Sequence, residues 1–181
     1  MRANILQYDD LIYRLMRLDE DAFLLDDSDE RLHVSIVGGG ALILQKVIPR
    51  ATHDIDAISV SPILLELLEK YDINCRVNAY INNFPYCFED RLMKLTIDTK
   101  KIDYYTASLE DIVIAKLHSN RDPDIHDIES KSVRKALDWE LLEVLALSEG
   151  EAKASSLSSR SHKEFLHAYE VYIKRFKPCA S

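Results

Sequence analysis

Three glycines and two aspartates carry the chemistry legible in this chain. Gly38, Gly39 and Gly40 close the apolar run Val34-Ser35-Ile36-Val37, and the string Thr52-His53-Asp54-Ile55-Asp56 follows shortly after. Asp54 to Val60 alternates, the pattern of a half-buried strand. Strand side chains repeat with period two, so Asp54 and Asp56 are expected on one face, about 7 Å apart. Carboxylates at that spacing can converge on a divalent cation, and oxygen-only ligands suit magnesium or manganese. Without a cation they repel, which favours protonation of one of them. The competing reading is a solvated strand start with two surface acids.

The glycines are three of only four in the chain. Val34, Ile36 and Val37 predict a buried strand, and Ala41 to Leu44 a buried helix. Glycine at such a turn permits positive φ and close backbone approach. The amides opening the helix would favour an anion such as a triphosphate. The segment lacks the Gly-Lys-Ser/Thr of a P-loop and the spaced glycines of a dinucleotide fold. A tight turn that only needs glycine is the alternative.

A second constellation follows. Ser108-Leu109-Glu110-Asp111 approximates a capping box, and Leu109, Ile112, Val113 and Leu117 recur at helical spacing as an apolar face. Lys116 falls on that stripe, where it either snorkels past the core edge or meets a phosphate. Arg121, Asp124 and Asp127 come next at helical offsets, as an ion-pair set or as functional groups.

The segments Gly38-Gly39-Gly40-Ala41, Arg50-Ala51-Thr52 and Asp54-Ile55-Asp56 resemble the nucleotidyltransferase superfamily with the polymerase-β-like fold. The resemblance is closest to the branch holding AbiEii-type toxins and related bacterial nucleotidyltransferase-like proteins. Lys116, Arg121 and Asp124-x-x-Asp127 are similar to that branch's Lys…Arg…Asp-x-x-Asp motif, so the likeness covers roughly residues 34 to 128. It implies that Asp54 and Asp56 hold Mg2+ or Mn2+ and act with Lys116 in catalysis. Gly38, Gly39, Gly40, Arg50, Thr52, Arg121 and Asp127 would bind the NTP. The implied reaction moves a nucleotidyl group to a tRNA or protein acceptor, with an antitoxin protein as a further partner. The superfamily usually adds a third metal carboxylate from a neighbouring strand. Asp98, directly after an expected strand Leu92–Ile97, is the expected ligand. Asp103, between Ile102 and Tyr104, is expected to face solvent. A non-catalytic nucleotide-binding or interaction module on the same scaffold is the rival reading.

The elements that must position these residues are expected in a single α/β nucleotidyltransferase-like domain, a small mixed β-sheet with flanking helices over residues 1–130. C-terminal helices are expected over 131–181. The 181 residues suffice for one core plus a helical appendage. Leu11, Ile12, Leu15 and Met16 mark an N-terminal helix, and Pro62 opens another through Leu68. Asn74 to Tyr86 is ambiguous. Asp138 is expected to cap a helix, and Ser161-His162-Lys163-Glu164 to cap the last one, with Phe165, Tyr169, Tyr172, Ile173 and Phe176 as its stripe. The net charge of −8 makes the chain a poor nonspecific nucleic-acid binder. The charge is uneven: residues 151–181 hold six basic against three acidic residues, +3, leaving −11 for the rest. No apolar stretch approaches a membrane span, and no signal peptide is expected. Three scattered cysteines without a CxxC fit a reduced, cytoplasmic setting.

Overall fold

The apolar run before the glycines forms β1 (Leu32–Val37), with Val34 to Val37 all buried. The computed structural model describes residues 6–49, 52, 54–58 and 60–178. The fold is α/β and divides into two units interleaved in sequence, Met1–Asn78 with Leu92–Ala107 and Ala79–Arg91 with Ser108–Ser181.

The first unit is built on a five-stranded mixed sheet. Strands β2 (Ile55–Ile58), β3 (Ile73–Asn74), β4 (Met93–Lys94) and β5 (Ile102–Thr106) join β1 in the order β3-β2-β1-β5-β4. β1 pairs antiparallel with β2 and parallel with β5. Among its described residues this unit carries the α-helices α1 (Tyr8–Leu25), α2 (Gly38–Leu44) and α3 (Leu65–Lys70). Tyr104 donates its hydroxyl to the Leu15 carbonyl at 2.8 Å, and a Cβ on Gly40 would lie 3.6 Å from Ile36 Cγ2. Val34 pairs with Tyr104, so α1 and α2 cover the Val34–Ile36–Tyr104 face. The buried stripe of α1 is Leu11, Leu15, Leu18 and Ala22; Met16 is exposed.

One carboxylate locks this layer. Asp19 is buried on α1 and accepts from the amides of Lys100, Lys101 and Ile102 at 2.7, 2.8 and 2.7 Å. The adjacent Lys101 ammonium is held by Asp26 at 2.8 Å and the Ser28 carbonyl at 2.7 Å. The strand expected over Leu92–Ile97 is shorter than its apolar content implies. Leu95 N–H still reaches the Tyr104 carbonyl, but Ile97 N–H turns back to the Leu95 carbonyl, and the ladder stops.

The second unit holds α4 (Leu109–Ser119), α5 (Asp122–Glu129), α6 (Lys131–Ala136), α7 (Trp139–Leu147), α8 (Ala152–Ser155) and α9 (Ser159–Phe176). α4 packs against α5, α7 and α9, which places residues 109–129 in the same unit as the C-terminal helices rather than with the sheet. Residues 109–114, 116 and 117 of α4 are all buried, so the helix is a hub rather than a one-sided amphipath. Ser108 caps it by accepting from Asp111 N–H at 3.1 Å, and Asp138 caps α7. The Asp111 carboxylate is held by the Arg91 guanidinium, which also forks onto Glu151. The cap of α9 is Ser158, not the expected Ser161. Phe165, Tyr169 and Tyr172 of α9 are buried core, as the stripe predicts.

Candidate functional site

The glycine turn and the acid pair meet within the first unit. Gly38 adopts φ +67°, the left-handed region that glycine enters without strain. A Cβ at that position would lie 3.2 Å from Asp56 Oδ2, so any other residue would crowd the carboxylate and push it aside by a few tenths of an ångström. A Cβ on Gly40 would likewise lie 3.9 Å from the Asp54 carbonyl. Register explains the meeting. Val37 pairs with Asp56 across β1 and β2, so the last strand residue before the turn sits directly beside the second acid. Asp54 immediately precedes β2 and is exposed; Asp56 is half-buried, on the face opposite Ile55 and Ala57, which are fully buried.

Two polar neighbours shape the acids. Thr52 is buried, and its hydroxyl donates to the Asp54 carbonyl at 3.2 Å and to Asp54 Oδ1 at 3.3 Å. Its backbone is fixed by a two-bond bridge to Leu6. Thr52 therefore orients Asp54. Asn74 Nδ2 donates to Asp56 Oδ1 at 2.9 Å from the adjoining strand, where the register pairs the two residues. Sequence reasoning missed Asn74, because a two-residue strand has no periodicity to read. Arg50 lies outside the described residues.

Asp98 does not join this cluster. β4 runs antiparallel to β5, from Met93 beside Thr106 to Lys94 beside Tyr105. The chain therefore moves away from the glycine turn, and Asp98 adjoins Thr99, which Arg31 holds at the opposite end of the sheet. Asp56 is level with Val37, one step past the Ile36–Thr106 pair, at the other end of the strands. Asp103 pairs with His33 at the Asp98 end. It is held by Lys94 at 2.8 Å and by Arg31. Burial would raise its carboxyl, but the two cations outweigh that and hold it below its ordinary value. On β5, the positions sharing the face and level of Asp56 are Tyr105, paired with Ser35, and the next alternate residue, Ala107. Neither is an acid. Among the described residues no group of three or more His, Cys, Asp or Glu side chains converges to hold a metal. Asp54 and Asp56, two residues apart at the start of β2, offer hard carboxylate oxygens, the donor type that suits Mg2+ or Mn2+.

The second constellation lies in the second unit and is a buried ion cluster. Lys116 Nζ sits 2.5 Å from Asp124 Oδ1 and 3.0 Å from Asp127 Oδ2, with all three side chains at most 8% exposed. Ser119 and the Nε of Arg121 hold Asp124 Oδ2 at 2.6 and 2.7 Å. Burial would raise the Asp124 carboxyl, but hydrogen bonds from Lys116, Ser119 and Arg121 pull it below its ordinary value. Lys116 thus meets carboxylates rather than snorkelling to solvent, because it points inward from a helix packed on several sides. The Arg121 guanidinium also lies 5.8 Å from the Tyr80 ring.

The family described as "Nucleotidyltransferase of unknown function (DUF6036)" matches residues 13–177. The chain belongs to this nucleotidyltransferase family. No curated protein and no solved structure matches it. The matched stretch contains the glycine turn, the acid pair and the Lys116–Asp124–Asp127 cluster.

Proposed function

We propose that this protein transfers a nucleotidyl group from an NTP to an acceptor hydroxyl, at a site centred on Asp54 and Asp56. The observation that carries the reading is the close approach of Gly38 to Asp56 Oδ2, which sets an anion-compatible turn against an acid pair. In this reading Asp54 and Asp56 hold the divalent cation that accompanies the triphosphate, and the amides of Gly39 and Gly40 receive phosphate oxygens. The cation supplies charge neutralisation and orientation of the phosphoryl group. The acceptor oxygen bonds to the α-phosphorus, the bond to the bridging β-phosphate oxygen breaks, pyrophosphate leaves, and the hydroxyl proton passes to solvent. Thr52 and Asn74 keep the two carboxylates in place. The AbiEii-like resemblance extends the reading to a tRNA or protein acceptor and to a toxin role with an antitoxin partner.

A second reading is favoured by one specific feature, the non-acidic Tyr105 and Ala107 at the level where a third carboxylate would stand. It makes the protein a nucleotide-binding module that does not turn over. A thermal melt separates both readings from no site at all. Magnesium plus NTP is expected to raise the melting temperature of the wild type, and the Asp54→Asn/Asp56→Asn variant is expected to lose that shift while folding normally. A shift that persists in the double variant would overturn the site. Incubation with radiolabelled NTP, magnesium and total tRNA then distinguishes transfer from binding alone.

A further inference from the structure

We infer that Asn74 is a positioning residue for the metal-binding carboxylate of Asp56. The inference rests on the reading of Asp56 as a metal ligand. The Asn74 carboxamide is held at both ends. Its Nδ2 donates to Asp56 Oδ1 at 2.9 Å, and its Oδ1 accepts from the backbone amide of Arg76 at 3.0 Å. The second bond decides the orientation of the amide. An N–H can only donate, so the atom facing Arg76 must be the oxygen, and the NH2 group is left facing Asp56. Asn74 is therefore a donor to the carboxylate. Its oxygen is engaged by the Arg76 amide, and its NH2 group is the end that meets Asp56.

The placement has a structural cause. β3 runs parallel to β2 with Asn74 in register with Asp56, so the two side chains share one face of neighbouring strands. The other carboxylate oxygen lies near the glycine turn, where a Cβ on Gly38 would stand 3.2 Å from Asp56 Oδ2. One oxygen is thus tied to a fixed amide and the other set against the turn. A carboxylate so held presents itself to a cation in one orientation, without first losing rotamer freedom. With no acid at Tyr105 or Ala107, orientation of the two remaining carboxylates carries more of the affinity. Hydrogen bonds that orient metal ligands typically change affinity 10–100-fold when removed.

The test uses the full-length chain and Mn2+ alone, titrated while the electron paramagnetic resonance signal of free Mn2+ is followed. Asn74→Ala is expected to weaken Mn2+ binding about tenfold or more. Its melting temperature in metal-free buffer should stay close to that of the wild type, since Asn74 is exposed on a sheet edge. Asn74→Gln moves the donor one methylene away and is expected to bind Mn2+ weakly as well. Wild-type affinity in both variants, with Asp56→Asn defective, would overturn the role of Asn74 and leave the site intact. Wild-type affinity in Asp54→Asn/Asp56→Asn, or no Mn2+ binding by the wild type, would instead overturn the site and the inference with it.

Discussion

At Gly38 a backbone requirement and a chemical one coincide. Its φ of +67° costs an L-residue about 1–2 kcal/mol, and a Cβ there crowds Asp56 Oδ2 at 3.2 Å. Gly38→Ala is expected to lower stability by about that amount in denaturant titration. It should also displace the Asp56 carboxylate and shrink the stabilisation by magnesium and NTP. Lys116 behaves differently. Methionine suits an apolar helix stripe, so the sequence suggests that Lys116→Met is tolerated. The structure gives the opposite expectation, because the change leaves the buried Asp124 and Asp127 without the ammonium between them. Breaking a buried pair by removing one partner costs about 3–5 kcal/mol. Urea unfolding should show a loss near 3 kcal/mol, and a loss under 1 kcal/mol would mean that the cluster relaxes into solvent.

Between elements, the contact of α4 with α9 depends on an uncharged histidine. The His118 ring stacks on Phe165 with centroids 4.1 Å apart and planes 7° from parallel. Its Nε2 is buried without a hydrogen-bond partner among the described residues. Burial, with a smaller push from His162, lowers its pKa from 6.5 to about 4. The unfolded chain therefore binds this proton more readily than the folded one. Stability contributed by the neutral ring is complete above about pH 6.5 and is lost as pH falls toward 4. After allowance for the partly exposed ring, the loss between pH 7 and pH 5 should be about 1 kcal/mol. His118→Phe keeps the stack and is expected to flatten this part of the pH–stability curve, measured by thermal melts. An unchanged slope in that variant would assign it to other groups.

For the molecule as a whole, charge constrains the acceptor. A net charge of −8 repels phosphate backbones, and the six basic residues after position 150 include several already paired. Arg160 pairs with Glu164, Arg175 with Glu129 and Lys177 with Glu143. The chain is expected to leave a heparin column below about 0.15 M salt, where electrostatic contacts are strongly weakened. Retention well above that would show a basic surface concentrated enough to hold nucleic acid without sequence preference. Among the described residues no helix is long and apolar enough to cross a membrane.

Local chemistry determined β1, the glycine turn, α2, the acid pair and the aromatic stripe of α9, because each is a short-range pattern of burial, φ and period. Gly38 could be read as a turn glycine since few other residues tolerate its φ. Long-range pairing set the rest. Only the β1–β2 register brings Asp56 to Gly38, and only the β3 pairing brings Asn74 to Asp56. The antiparallel course of β4 carries Asp98 to the wrong end of the sheet, which no count of residues after a strand can foretell. The partners of Lys116 were hidden for a related reason. A stripe on one helix does not reveal how many neighbours surround it, and α4 is enclosed by α5, α7 and α9, so its lysine turns inward to two carboxylates.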